Sequence, residues 1–229
     1  DENNETVIVD MGTPVNATLG ATTTHTATIN DNDNQPSVQF SAATQTVSEA
    51  VGAVTVTANL SAASGLTVTV PYTVSGTAAN PADHDLANGN ITITAGSTSG
   101  SVSFNVVNDA LDEDDETVIL TMGTPVNATL GTTTVQTVTI QDNDAAPTVT
   151  FTAASQSGSE NIGTMTITAQ LSAASGLAVT VPFTVNAAST ATGGGTDYSI
   201  TASPITINAG STTGTATITV NDDALDENN

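Results

Sequence analysis

The nine residues Asn108-Asp109-Ala110-Leu111-Asp112-Glu113-Asp114-Asp115-Glu116 carry six carboxylates, and the chain contains no Lys or Arg to neutralise them. Two carboxylates held about 4 Å apart repel by roughly 4 kcal/mol at an effective dielectric near 20. A fold that gathers several of them needs a cation. Oxygen donors in a chain without Cys point to calcium. The stretch recurs: Asp222-Asp223-Ala224-Leu225-Asp226-Glu227-Asn228-Asn229 closes the chain and Asp1-Glu2-Asn3-Asn4-Glu5 opens it. The remainder reads as a β scaffold repeated around this loop.

Composition narrows the function classes. A net charge of −23 with no basic residue excludes nucleic acid and anionic membrane surfaces, which are bound through Lys and Arg. Disorder is the first thought for so acidic a chain, but 38% of its 229 residues are hydrophobic and they fall in strict alternation. Without Cys, disulfides neither staple the fold nor report on the compartment. No signal-peptide pattern and no apolar run of bilayer-spanning length is present.

The scaffold that positions the carboxylates is an internal repeat. Gly12-Thr13-Pro14-Val15-Asn16-Ala17-Thr18-Leu19-Gly20 returns unchanged at Gly123–Gly131, an offset of 111, and Ser61–Leu66 returns at Ser172–Leu177 with the same offset. Ile91 matches Ile205 and Asp112 matches Asp226 at an offset of 114, the extra residues falling near Gly193-Gly194-Gly195. A period this long implies independent domains rather than a solenoid. One unit is complete, over 36–144; residues 1–33 match only the C-terminal strands of a unit, and 148–229 only its N-terminal two-thirds. Two expectations stand side by side. Either the chain is a window from a longer array, or the last unit is completed by the first strands of another chain.

Within 36–144, seven strands are expected, at 37–48, 53–61, 66–75, 90–95, 101–107, 116–122 and 134–141. Val54, Val56, Ala58 and Leu60 alternate with polar residues, as do Val68, Val70, Tyr72 and Val74. Ala63-Ser64-Gly65 and Asn88-Gly89 supply turn chemistry between them. Val179, Val181, Phe183 and Val185 repeat the pattern in the second copy, and residues 5–11 and 24–30 read as strands in the opening segment. The expected architecture is all-β: tandem seven-stranded antiparallel immunoglobulin-like sandwiches, one complete and two partial.

At this point the unit resembles a Calx-beta domain, the calcium-binding sandwich of sodium–calcium exchangers and many bacterial surface proteins. The matching pieces are Val47-Ser48-Glu49 with Gly52, Asp83-His84, Asn108-Asp109 leading to Glu113 and Glu116, and Ile140-Gln141-Asp142-Asn143-Asp144. The resemblance implies calcium at one end of the sandwich. Carried over by motif, its ligands are Glu49, Asp83, Asp109, the Leu111 carbonyl, Glu113, Glu116, Asp142 and Asp144. The second copy offers Glu160, Asp197, Asp222, Asp223 and Glu227, and Asp31 and Asp33 with Glu2 and Glu5 belong to a site that a preceding segment completes. Asn108 stands where exchanger-type domains often carry Asp, and Asn228 and Asn229 replace Asp114 and Asp115, so the sites are expected to differ in affinity.

Other chemistry is poorly served. Asp31-Asn32-Asp33-Asn34-Gln35-Pro36 has Pro where an EF-hand turn needs Gly, and His84 is a lone imidazole without Cys partners for zinc. No nucleophile elbow or phosphate loop appears, so the chain is not expected to be an enzyme. Asn4, Asn16, Asn90 and Asn127 open N-glycosylation acceptor patterns that an Asn- and Thr-rich chain produces by chance. The expected function is a calcium-binding structural repeat of an extracellular array, a stiffened adhesin stalk or filament whose partners are neighbouring copies. The competing reading is an extracellular module that recognises a glycan or protein through Thr/Asn-rich loops. Aromatics at 3% and no Trp weigh against a sugar platform.

Overall fold

The computed structural model of the chain describes residues 1–223. It divides into two compact units, one of residues 1–108 and 116–141, the other of 109–115 and 142 onward.

The first unit opens with an antiparallel hairpin, β1 (Glu5–Asp10) and β2 (Thr24–Ile29), in which Glu5 faces Ile29 and Asp10 faces Thr24. All residues of both strands are exposed. Then follow β3 (Ser37–Phe40), β4 (Thr44–Ser48), β5 (Ala53–Leu60), β6 (Val68–Gly76), β7 (Gly89–Ile93), β8 (Ser99–Asn105), β9 (Glu116–Met122), β10 (Thr129–Leu130) and β11 (Val135–Gln141). One sheet has the order β10-β3-β5-β8 and the other β4-β11-β9-β6-β7. The period-two pattern turns Val54, Val56, Ala58 and Leu60 of β5 inward, and Val118, Leu120 and Met122 of β9 likewise. These side chains join Phe40, Ile91, Ile93, Phe104, Val138 and Ile140 in one core fed by both sheets, which makes the unit a β-sandwich.

Residues 37–48 are two strands rather than the one expected. β3 pairs with β5, and β4 pairs in parallel with β11, from Thr44 opposite Thr137 to Ser48 opposite Gln141. The small residues Ser41-Ala42-Ala43 let the chain pass from one sheet to the other without the Gly or Pro that would announce a break. β10 lies outside the seven expected strands and pairs in parallel with β3.

The second unit contains β12 (Val149–Phe151), β13 (Thr164–Leu171), β14 (Val179–Val181), β15 (Tyr198–Ile200), β16 (Ile205–Ile207) and β17 (Thr213–Val220). β12-β13-β17-β15 form one sheet and β14-β16 another, around Ala169, Leu171, Ile205, Ile207 and Ala216. The strand expected to run on through Phe183 and Val185 stops at Val181, and residues 155–159, the counterpart of β4, form no strand. In the first unit these two segments pair with β9 and β11, which have no counterpart within residues 148–223. Among the described residues, no helix is long and apolar enough to cross a membrane.

Candidate metal centre

Glu49 follows β4 in a short 3-10 turn, Glu49–Val51, capped where the Ala50 N–H donates to Ser48 Oγ at 3.3 Å. Gly52 ends the turn at φ +77°, a conformation that glycine adopts without strain. The turn leaves Glu49 only 8% exposed, a carboxylate buried in a chain without Lys or Arg. Taking a carboxylate out of water costs several kcal/mol, which opposite charge and hydrogen bonds must offset. In the second unit, carboxylate oxygens of Asp109 and Asp144 lie within 4.8 Å of one another. Asp144 contributes a second mark of a cation seat, because its Oδ2 is buried without a hydrogen-bond partner.

In the first unit, carboxylate oxygens of Asp83 and Glu116 form a second group with the same spacing. Three consecutive residues set up its first member. His84 is buried, accepts the Leu86 N–H on Nδ1 at 3.0 Å and meets the Phe104 ring edge-on at 6.0 Å between centroids. Asp85 accepts the Asn105 backbone N–H and side-chain amide, both at 2.7 Å, and these hydrogen bonds, the backbone one foremost, hold its carboxyl below the ordinary 3.8. With its neighbours fixed, Asp83 closes a turn to Ala79, and its carbonyl accepts the Val107 N–H at 2.9 Å. Glu116 is the first residue of β9. Asp109 accepts the Leu111 N–H at 2.8 Å, which shapes the start of the acidic loop.

Both groups consist of carboxylate oxygens alone. Such a donor set suits a hard divalent cation of the calcium type and lacks the nitrogen and sulfur that zinc favours. His84 is spent on the core, as its hydrogen bond and ring contact show.

Of the other residues singled out in the sequence, Leu111 is half-buried beside Asp109, and the Asp142 N–H donates to Asp115 Oδ1 at 3.2 Å. Asp31 accepts the N–H groups of Glu2 and Asp33, each at 3.2 Å, and its carboxyl is held below 3.8, chiefly by Glu2. Glu160 begins the 3-10 turn Glu160–Ile162, and Asp197 accepts the Thr192 N–H. Among the described residues, no such carboxylate group contains Glu2, Glu5, Asp31, Asp33, Asp142, Glu160, Asp197, Asp222 or Asp223. Glu227 lies outside the described residues.

The turn Ala63-Ser64-Gly65, which the sequence offers only as turn chemistry, holds acidic residues. Ser64 is buried and its Oγ donates to the Asp1 carbonyl at 3.2 Å, while the Gly65 N–H donates to the same oxygen at 2.8 Å. Ser175 and Gly176 hold Asp112 in the same way. The only sequence signal was the verbatim return of this turn beside an acidic stretch that also returned.

Comparison with known proteins adds the following. The family model described as the Calx-beta domain matches residues 31–144 and 142–229. Among solved structures, CBD12 from CALX1.2 is 22% identical, over 80% of this chain and 75% of that one, with a TM-score of 0.45. The calcium binding domain CBD12 of CALX1.1 is 19% identical over 82% and 76%, also at 0.45. The apo-form Calx CBD1 domain is 23% identical over 48% of this chain and 100% of that one, again at 0.45. No match was found among curated proteins.

Proposed function

This chain belongs to the Calx-beta domain family, and from that premise we propose that it is a non-catalytic calcium-binding module whose repeats form a calcium-stiffened stalk or filament outside the cell. The observation that carries the proposal is the recurring acidic stretch in a chain with no Lys or Arg, with close carboxylates in each unit. Glu49, Asp83, Asp109, Glu113, Glu116, Asp142 and Asp144, the positions that the family motif marks, would hold calcium. The ion would supply the positive charge that lets carboxylates stand close together.

Stiffening follows from where the ligands sit in the sequence. Asp109 and Glu113 belong to the acidic loop, Glu49 follows β4, Glu116 opens β9, and Asp83 lies in the loop between β6 and β7. A bound ion would offset charges that otherwise repel one another. The linkers Asn34-Gln35-Pro36 and Ala145-Ala146-Pro147 are short and end in Pro, whose fixed φ limits bending. Neighbouring repeats are the proposed partners.

Small-angle scattering on the chain tests the proposal. Calcium is expected to lengthen and sharpen the maximum dimension, and excess chelator to blur it. Identical profiles in the two conditions would refute the stiffening role.

A further inference from the structure

We propose that Asn90 is a glycosylation site, whose side-chain nitrogen takes a sugar, and that Asn127, the other acceptor pattern of the complete sandwich, stays bare. Chance puts such patterns into an Asn- and Thr-rich chain, but the fold decides which of them can carry a sugar.

Asn90-Ile91-Thr92 lies within β7. Period-two alternation sends Ile91 and Ile93 into the core, both 0% exposed, and turns Asn90 and Thr92 to solvent on one face. Among the described residues, the Asn90 side chain makes no hydrogen bond. Its surroundings are short and uncharged, with Pro71 opposite Asn90 and Thr69 opposite Thr92. β7 is also the last strand of its sheet and is hydrogen-bonded on one side only.

Asn127-Ala128-Thr129 is the contrast. Asn127 stands at φ +62°, and its Nδ2 donates to the Thr67 carbonyl at 2.8 Å. That nitrogen is the atom a sugar would occupy. The loop around it is pinned on both sides: Val126 and Thr69 exchange backbone hydrogen bonds at 2.9 and 3.3 Å, and Ala128 is buried. A sugar on Asn127 is therefore incompatible with the folded chain, whether it arrives before folding or after. A sugar on Asn90 displaces nothing.

The strand's position gives the sugar a purpose. An edge strand presents unpaired backbone groups that invite another strand, and proteins guard such edges with charged side chains, above all Lys, or with Pro. β7, Gly-Asn-Ile-Thr-Ile, has neither, and the chain has no Lys. A hydrated sugar on Asn90 supplies the missing guard.

The substrate class is a glycosyl diphosphate, used by a transferase of the cell. Asn90 Nδ2 bonds to the anomeric carbon, and the bond from that carbon to the phosphate oxygen breaks. The diphosphate leaves with the electron pair, and a proton of the amide passes to a base of the transferase. Thr92 serves as the recognition hydroxyl two residues on. The diphosphate can be carried by a nucleotide or by a lipid.

Peptide mapping of the protein isolated from the cells that make it tests the proposal. Cleavage at Asp releases the segment between Asp85 and Asp109, which contains Asn90 and no other acceptor pattern. Electron-transfer fragmentation then locates the sugar. The expected result is a sugar on Asn90 and a bare Asn127. A single hexose identifies the nucleotide-linked donor, and a preassembled block of sugars the lipid-linked one. In the same cells Asn90→Gln and Thr92→Ala are expected to abolish the modification, and Thr92→Ser to keep it. Because Asn90 is exposed and makes no hydrogen bond, Asn90→Gln separates loss of the sugar from loss of the fold. A bare Asn90, a sugar on Asn127, or a sugar on Asn90 that survives Thr92→Ala overturns the proposal.

Discussion

Ser175 Oγ donates to both the carbonyl and the carboxylate of Asp112, at 3.1 and 3.0 Å. The Gly176 N–H adds a bond to the carbonyl at 3.0 Å, and Ser175 Oγ accepts the Leu177 N–H at 3.1 Å. In the preceding copy Ser64, Gly65 and Leu66 treat Asp1 in the same way. The apex of the acidic loop is therefore anchored on a buried hydroxyl. A carboxylate that neither Lys nor Arg pairs is held by main-chain and hydroxyl donors, which fixes where its neighbours point.

Gly176 leaves no room for a side chain, because a Cβ there would lie 2.5 Å from Glu113 Oε1 and 2.6 Å from its Cγ. Gly176→Ala is expected to displace Glu113 and lower calcium affinity about tenfold, or roughly 1.4 kcal/mol. Gly65→Ala meets Glu2 Cβ at 2.9 Å instead and serves as the control that spares that site. Calorimetric calcium titration of both variants checks this, and equal affinities would show that Glu113 does not depend on the glycine.

Ser175→Ala removes the hydroxyl and is expected to cost about 1 kcal/mol, the usual net worth of a hydrogen bond. The local effect should appear as faster amide exchange in residues 109–115, measured by mass spectrometry after peptic digestion. Unchanged exchange there would mean that the Gly176 N–H suffices to hold Asp112.

Asp85 sets a pH dependence. Its carboxyl is held below 3.8 in the folded chain by the Asn105 N–H groups, so it contributes stability above its unfolded value. That contribution is lost as pH falls through the lower folded value. Asp85→Asn should thus be less stable than the parent at neutral pH and lose its disadvantage in acid, below the lowered folded value. Urea midpoints at the two pH values test this, and a difference that persists in acid would rule out the carboxylate as its source.

The β-sandwich was legible because its strands alternate: Val54, Val56 and Ala58 can share a face only in a strand. The crossing at Ser41-Ala42-Ala43 was not, since small residues change sheets without a turn signal and the β4–β11 pairing joins residues some 90 positions apart, Thr44 with Thr137. The acidic loop was visible as charge, but the approach of Asp109 to Asp144, well downstream in the chain, was not. The role of Ser64 and Ser175 was hidden because a serine in a turn looks the same whether it caps its own loop or anchors another. His84 shows a third limit: beside two aspartates it suggests a ligand, and only burial against Phe104 reveals a core residue.

His84→Phe keeps a ring against Phe104 and removes the acceptor of the Leu86 N–H. Leaving that donor buried and unmatched should cost about 1–3 kcal/mol in urea unfolding. Added zinc should leave the melting temperatures of parent and variant alike unchanged, and a zinc-induced rise confined to the parent would restore His84 as a ligand.

Calcium is proposed to bind among the carboxylates that each unit gathers, at Asp83 and Glu116 in the first and at Asp109 and Asp144 in the second. Calorimetric titration of the chain with calcium is therefore the decisive measurement, run alongside the double variant Asp83→Asn, Glu116→Gln. The parent is expected to bind and to gain about 2.7 kcal/mol of stability at a hundredfold excess over Kd. The variant should lose the calcium held at Asp83 and Glu116 and keep that held at Asp109 and Asp144. Absence of binding by the parent at millimolar calcium, or identical titrations of parent and variant, would refute calcium binding at these carboxylates.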